Sequence, residues 1–173
     1  TKFADAQNTV GATYRNIREK NILHLAILLH DLGKGFHEDH SEVGRRIAAS
    51  TGERFDLRED ETETIKFLVH NHLVMSHLAL HRDINDDEMV AEFASNVGSV
   101  QILSMLYVLT CADISAVGPG VLNPWKQGLL TGLYKRAKSI LSGENENLEK
   151  ERFDGVYDAV SAQAETEDGK TWL

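Results

Sequence analysis

Apolar residues recur at three- and four-residue spacing along most of this chain, and nowhere do they alternate with polar ones as a strand requires. Val10, Tyr14 and Ile17 form one such stripe, and Ile22, Ala26 and Leu29 a second, the two meeting near Lys20-Asn21. Val43, Ile47 and Ala48 form a third; Ile65, Leu68, Val69 and His72 a fourth; Met89, Val90, Phe93 and Val97 a fifth. Ile102, Leu103, Leu106 and Leu109 lead to Asp113, and Leu130, Leu133, Tyr134, Ala137 and Leu141 close the series. Each stripe needs a partner face, so the chain is expected to fold as an all-α bundle.

The boundaries are written in the same sequence. Asp39 followed by Glu42 has the spacing of a capping box, and the acidic turn Glu59-Asp60-Glu61 favours a helix start. Asp86-Asp87 and Ser99 open two more helices, with Gly98 stopping the one between them. Asn123-Pro124 places a cap before a proline at the first helical position, and that helix runs to Gly143. Gly33-Lys34-Gly35 is the expected stop of the second helix.

With 42% hydrophobic and 26% charged residues and two prolines, 173 residues suffice for one globular domain with a real core. That domain is expected over 1–143. The acidic stretch 144–173, with Phe153, Val156, Tyr157 and Val160 as its only stripe, is expected to be a peripheral helix or a linker to a further domain. The sequence opens on Thr1-Lys2-Phe3 and reads as part of something longer. A net charge of −9 argues against nucleic acid as a partner, because a phosphate backbone rewards basic surfaces. A single cysteine, Cys111, allows no internal disulfide, and no apolar run approaches a membrane span, so a cytoplasmic location is expected.

The chemistry gathers at His30-Asp31, on the end of an apolar helix. Neighbouring positions lie about 100° apart on a helix, so both side chains reach one ion only where the backbone leaves the helix. A His-Asp pair alone fits equally a core histidine beside a capping aspartate. Asp113 changes this, because it follows Leu106 and Leu109 on an inward stripe, where an unpaired carboxylate would cost several kcal/mol. Two inward carboxylates require a positive partner. His40 and His72 offer two more inward nitrogens, and mixed imidazole and carboxylate donors suit Mn, Fe or Zn, with Mg also admissible, as one ion or two.

Five blocks carry a resemblance. They are His30-Asp31-Leu32-Gly33-Lys34-Gly35, Asp39-His40-Ser41-Glu42-Val43-Gly44, Asn71-His72-Leu73-Val74-Met75-Ser76, Cys111-Ala112-Asp113-Ile114 and Asn123-Pro124-Trp125-Lys126. In order and spacing, over roughly residues 20–142, they resemble the HD domain of the bifunctional uridylyltransferase/uridylyl-removing enzymes that act on the PII signalling protein. The resemblance implies an HD-domain helical bundle with His30, Asp31 and Asp113 as metal ligands, and His40 and His72 filling a second-ion role. It implies metal-dependent hydrolysis of uridylyl-PII to PII and UMP, between a nucleotidyltransferase domain upstream and ACT domains downstream. Asp31 would orient the attacking water, and Lys34, one turn on, would steady the developing charge. Arg82 and Lys126 are weaker candidates for phosphate contacts.

One departure stands out. HD domains take their first histidine ligand from a helix before the His-Asp pair, and the only earlier histidine here is His24. Six residues place it about 240° around the same helix, so it cannot share the ion. The expectation is that this ligand was either cut off with the N-terminus, leaving an N-terminally truncated domain, or was never present, and it is divided between a hydrolase, a regulatory nucleotide- or metal-binding module, and an HD hydrolase of free nucleotides. His77 and His81 have i, i+4 spacing but lack the glutamate of a zinc-protease motif, and Cys111 reads as a small buried hydrophobe.

Overall fold

The computed structural model describes the backbone of residues 2–143 and the side chains of 9–143; the sequence-based reading of 144–173 lies outside the described residues. Among the described residues there are eight helices and no strand: α1 (Lys2–Asn16), α2 (Lys20–Leu29), α3 (His40–Arg54), α4 (Glu59–His70), α5 (Val74–His81), α6 (Asp87–Val97), α7 (Val100–Ala116) and α8 (Pro124–Leu141). The all-α expectation is met. No single helix among them is long and apolar enough to cross a membrane.

The bundle is organised around α7. Every residue from 103 to 111 is buried, and α7 packs against α1, α2, α4, α5, α6 and α8. Burying a leucine or methionine contributes roughly 1.5–3 kcal/mol, and Leu103, Met105, Leu106 and Leu109 are all at most 1% exposed. A helix buried all round can carry polar groups only where they find partners, which makes Asp113 near its end conspicuous.

The predicted caps form. Asp86, Ser99 and Asn123 each accept a backbone N–H in the first turn of the helix that follows, and Gly98 ends α6 in the left-handed conformation at φ 76°. Asp39 Oδ1 accepts from the Ser41 and Glu42 N–H groups at 3.0 and 3.1 Å. The box is only half made, because the Glu42 carboxylate turns to Arg45 instead.

Three details differ from the sequence reading. α2 stops at Leu29, with His30 as its C-cap, so the His-Asp pair begins a run of turns before Gly33 is reached. α4 stops at His70, which leaves His72 in the turn beyond rather than on the helix. α5 is an additional helix, since its sequence VMSHLALH is too short and too uniformly apolar to show a face.

Two glycines bring these ends together. A Cβ at Gly33 would lie 2.0 Å from the His40 carbonyl oxygen, and one at Gly44 would lie 2.8 Å from Val69 Cγ1. No other residue fits either place without moving its neighbours, so the turn after α2 rests directly on the start of α3, and α3 on α4.

Candidate metal centre

Two histidines are oriented by the same device. His30 Nδ1 donates to the Ile27 carbonyl at 2.7 Å, and His72 Nδ1 donates to the Val69 carbonyl at 2.6 Å, each bonding a carbonyl three residues back at a helix end. Fixing the proton on Nδ1 leaves the Nε2 lone pair as the free face of both rings. His30 Nε2 points at two carboxylates, 3.4 Å from Asp113 Oδ1 and 3.4 Å from Asp31 Oδ2. His72 Nε2 lies 3.8 Å from Asp31 Oδ1. His40, the first residue of α3, sets its ring edge-on to that of His72 with centroids 5.6 Å apart, and His30 meets His72 in the same manner at 5.3 Å.

Three of the polar atoms at this cluster have nothing to bond. Asp31 Oδ1, His40 Nε2 and His72 Nε2 are all buried and have no hydrogen-bond partner among the described residues. A lone pair facing two carboxylate oxygens is repulsive unless a proton or a cation lies between. One ligand atom from each of His30, Asp31 and Asp113 can be chosen so that all three lie within 4.8 Å of one another, a spacing one ion can span. The residues therefore fit a divalent cation, on donor type, on convergence and on the unmet hydrogen-bonding capacity around them.

The charges around Asp31 are arranged to keep it ionised. Partial burial pulls its pKa upward, but the Lys34 hydrogen bond at 2.6 Å, with the electrostatic pull of the neighbouring His30, Lys34 and His72 side chains, outweighs this and leaves the carboxyl below its ordinary value. Lys34 is raised by the same bond. Burial lowers the pKa of His72, which is 1% exposed, against the opposing pull of the Val69 carbonyl, so its ring is kept neutral and able to ligate.

The remaining predicted residues are placed as follows. Lys34, with its side chain 63% exposed, is engaged by Asp31 rather than free. Lys126 is half-buried in the first turn of α8, its backbone N–H held by Asn123 Oδ1 at 2.9 Å. Arg82 is the exposed C-cap of α5, and its side chain makes no hydrogen bond or ion pair among the described residues. His24 is exposed and hydrogen-bonds Tyr14 Oη at 3.0 Å, away from the cluster. His77 and His81 stack on each other outside the cluster. Burial pushes the Cys111 thiol up to about 12, so it is inert at neutral pH. The sequence reading missed the roles of the Ile27 and Val69 carbonyls and of Gly44; the only signal was a glycine within an otherwise helical stretch.

The family model for the HD domain matches residues 6–106. The chain belongs to the HD family. Membership supports metal-dependent phosphohydrolase chemistry in general. No solved structure matches the chain. The HD match begins inside α1, whose sequence KFADAQNTVGATYRN contains no histidine. Asp113 lies beyond the matched segment and joins the HD cluster through the fold.

Proposed function

We propose that this HD domain hydrolyses a phosphodiester, with a divalent ion held by His30, Asp31 and Asp113, and that its substrate is the uridylylated PII signalling protein. The observation that carries the hydrolase reading is the set of buried, unpartnered polar atoms, Asp31 Oδ1, His40 Nε2 and His72 Nε2, gathered around the cluster. A bound ion would supply Lewis acidity and lower the pKa of water toward neutrality. Asp31 Oδ1 accepts a hydrogen bond from the attacking water and so orients its lone pair, and the Lys34 ammonium stands beside the developing phosphoryl charge. His40 or His72 holds a second ion or protonates the leaving oxygen, which in this reading is a tyrosine oxygen of PII. Lys126 and Arg82 are the further phosphate contacts.

The uridylyl-PII substrate is supported by the five ordered sequence blocks. In this reading 1–143 form the hydrolase domain of a cytoplasmic enzyme, 144–173 lead toward ACT domains, and a nucleotidyltransferase domain lies upstream. Nucleic acid is no partner. A second reading, a regulatory HD module without turnover, is favoured by the absence of histidine from α1. Release of UMP from uridylylated PII with Mn²⁺ decides between them. The hydrolase reading expects chelation to abolish release and Asp31→Ala to lower it by a factor of at least about 100 with an unchanged circular dichroism spectrum. A metal-loaded but inactive protein would establish the regulatory module, and turnover of free nucleotides alone would replace PII as substrate.

A further inference from the structure

We infer that a cavity at the opposite end of α7 from the His-Asp cluster binds a small phosphate-bearing anion. It occupies about 600 Å³ between the C-terminal end of α1, the first turn of α7 and the second half of α8, a volume within the usual range for small-molecule sites. Gln101 in this cavity and Asp113 lie twelve positions apart on one helix, a separation of about 18 Å.

Three cations line the cavity, Arg15, Lys135 and Lys138, and no carboxylate does, although the chain as a whole carries 27 acidic against 18 basic residues. None of the three side chains forms an ion pair among the described residues, whereas Lys34, Arg45, Arg46, Arg58, Lys66 and Arg136 all do. Lys135 and Lys138 are one turn apart on α8 and so share a face. Gathering three like charges without a counterion is unfavourable, and an anion removes that cost.

The neutral groups point the same way. Gln101 Nε2 is buried and has no acceptor among the described residues. The Val100 and Gln101 N–H groups belong to the first turn of α7, where no intrahelical acceptor exists and the helix dipole is positive. The end of α1 would present carbonyls, which repel an anion, but Lys20 Nζ covers that of Arg15 at 3.1 Å. Donors and positive charge thus line the cavity, and the Arg15 carbonyl beside it is already taken.

Titration of the whole, chelator-treated chain with inorganic phosphate at constant ionic strength, followed by amide NMR, tests this. Saturable shifts are expected at Arg15, Gln101 and Lys135 and not at His30 or Asp31. Lys135→Ala/Lys138→Ala should weaken binding by about tenfold or more, while Arg54→Ala, which removes another exposed and unpaired cation, leaves it unchanged. Shifts centred on His30 and Asp31, no saturation, or equal weakening by Arg54→Ala would each overturn the site.

Discussion

α7 carries two polar neighbourhoods, one buried and one half-buried, that were built under opposite rules. In the first, Tyr107 Oη and Thr131 Oγ1 are 2.7 Å apart, Ser104 Oγ and Tyr134 Oη are 3.2 Å apart, and the Thr131 and Ser104 hydroxyls also reach the Gln127 and Val100 carbonyls. Every hydroxyl there has a partner, and the Tyr107 and Tyr134 rings stack with centroids 4.4 Å apart. In the second, two turns further along, Asp31 Oδ1, His40 Nε2 and His72 Nε2 have no hydrogen-bond partner among the described residues, and His30 Nε2 faces Asp113 Oδ1 and Asp31 Oδ2, each at 3.4 Å. The first neighbourhood is complete as a folded chain; the second is complete only with something the chain does not supply. Leaving a buried acceptor unmet costs about 1–3 kcal/mol, so the protein carries a local instability where function needs it.

A divalent ion should produce the largest effect on this contrast. At a hundred times its dissociation constant, Mn²⁺ or Zn²⁺ is expected to stabilise the fold by about 2.7 kcal/mol, raising the thermal midpoint by roughly 5–10 °C. Asp113→Asn should lose that rise. Calorimetry showing no ion-dependent shift would mean that the unmet acceptors serve some other purpose.

The matched neighbourhood predicts a smaller effect of the opposite kind. Tyr107→Phe removes one hydroxyl from a satisfied pair and keeps the stack, so denaturant unfolding should show a loss of about 1 kcal/mol with hydrolysis unchanged. A fall in activity with full ion binding would show that the two neighbourhoods are coupled along α7 rather than independent.

The smallest effect concerns pH in the metal-free protein. His72 has its pKa lowered by burial below the ordinary 6.5, so the unfolded chain takes up a proton before the folded one does. Its contribution to stability is complete above pH 6.5 and declines as the pH falls below it. Urea midpoints for the wild type should therefore drop as the pH is lowered from about 7 to about 5, and His72→Gln should have the flatter profile. Equal slopes would remove His72 from the unmatched set.

Much of this was legible in the sequence, for reasons that can be located. The stripes and caps gave seven of the eight helices, because an amphipathic face and a capping side chain are both local properties. Asp113 stood out because a carboxylate on the stripe of Leu106 and Leu109 contradicts its surroundings. α5 was hidden because VMSHLALH lacks a polar face to set against an apolar one. The ring orientations were hidden for another reason: they depend on where α2 and α4 stop, and on which carbonyls those ends leave open at Ile27 and Val69. Lys34 illustrates a further limit, since one-turn spacing placed it near Asp31 but did not reveal that the carboxylate already holds it.

The glycine contacts at 33 and 44 carry a consequence for how such a site diversifies. Because His40 is positioned by backbone resting on backbone at Gly33, its distance from the other rings does not depend on what fills residues 34–38. Within that stretch Lys34 is held by Asp31 and Gly35 sits at φ 93°, which favours glycine, so the part free to drift in composition is the exposed run 36–38, with Phe36 60% open to solvent. Lineages can thus exchange what the strap touches while inheriting the ligand geometry intact, provided that both glycines are inherited with it.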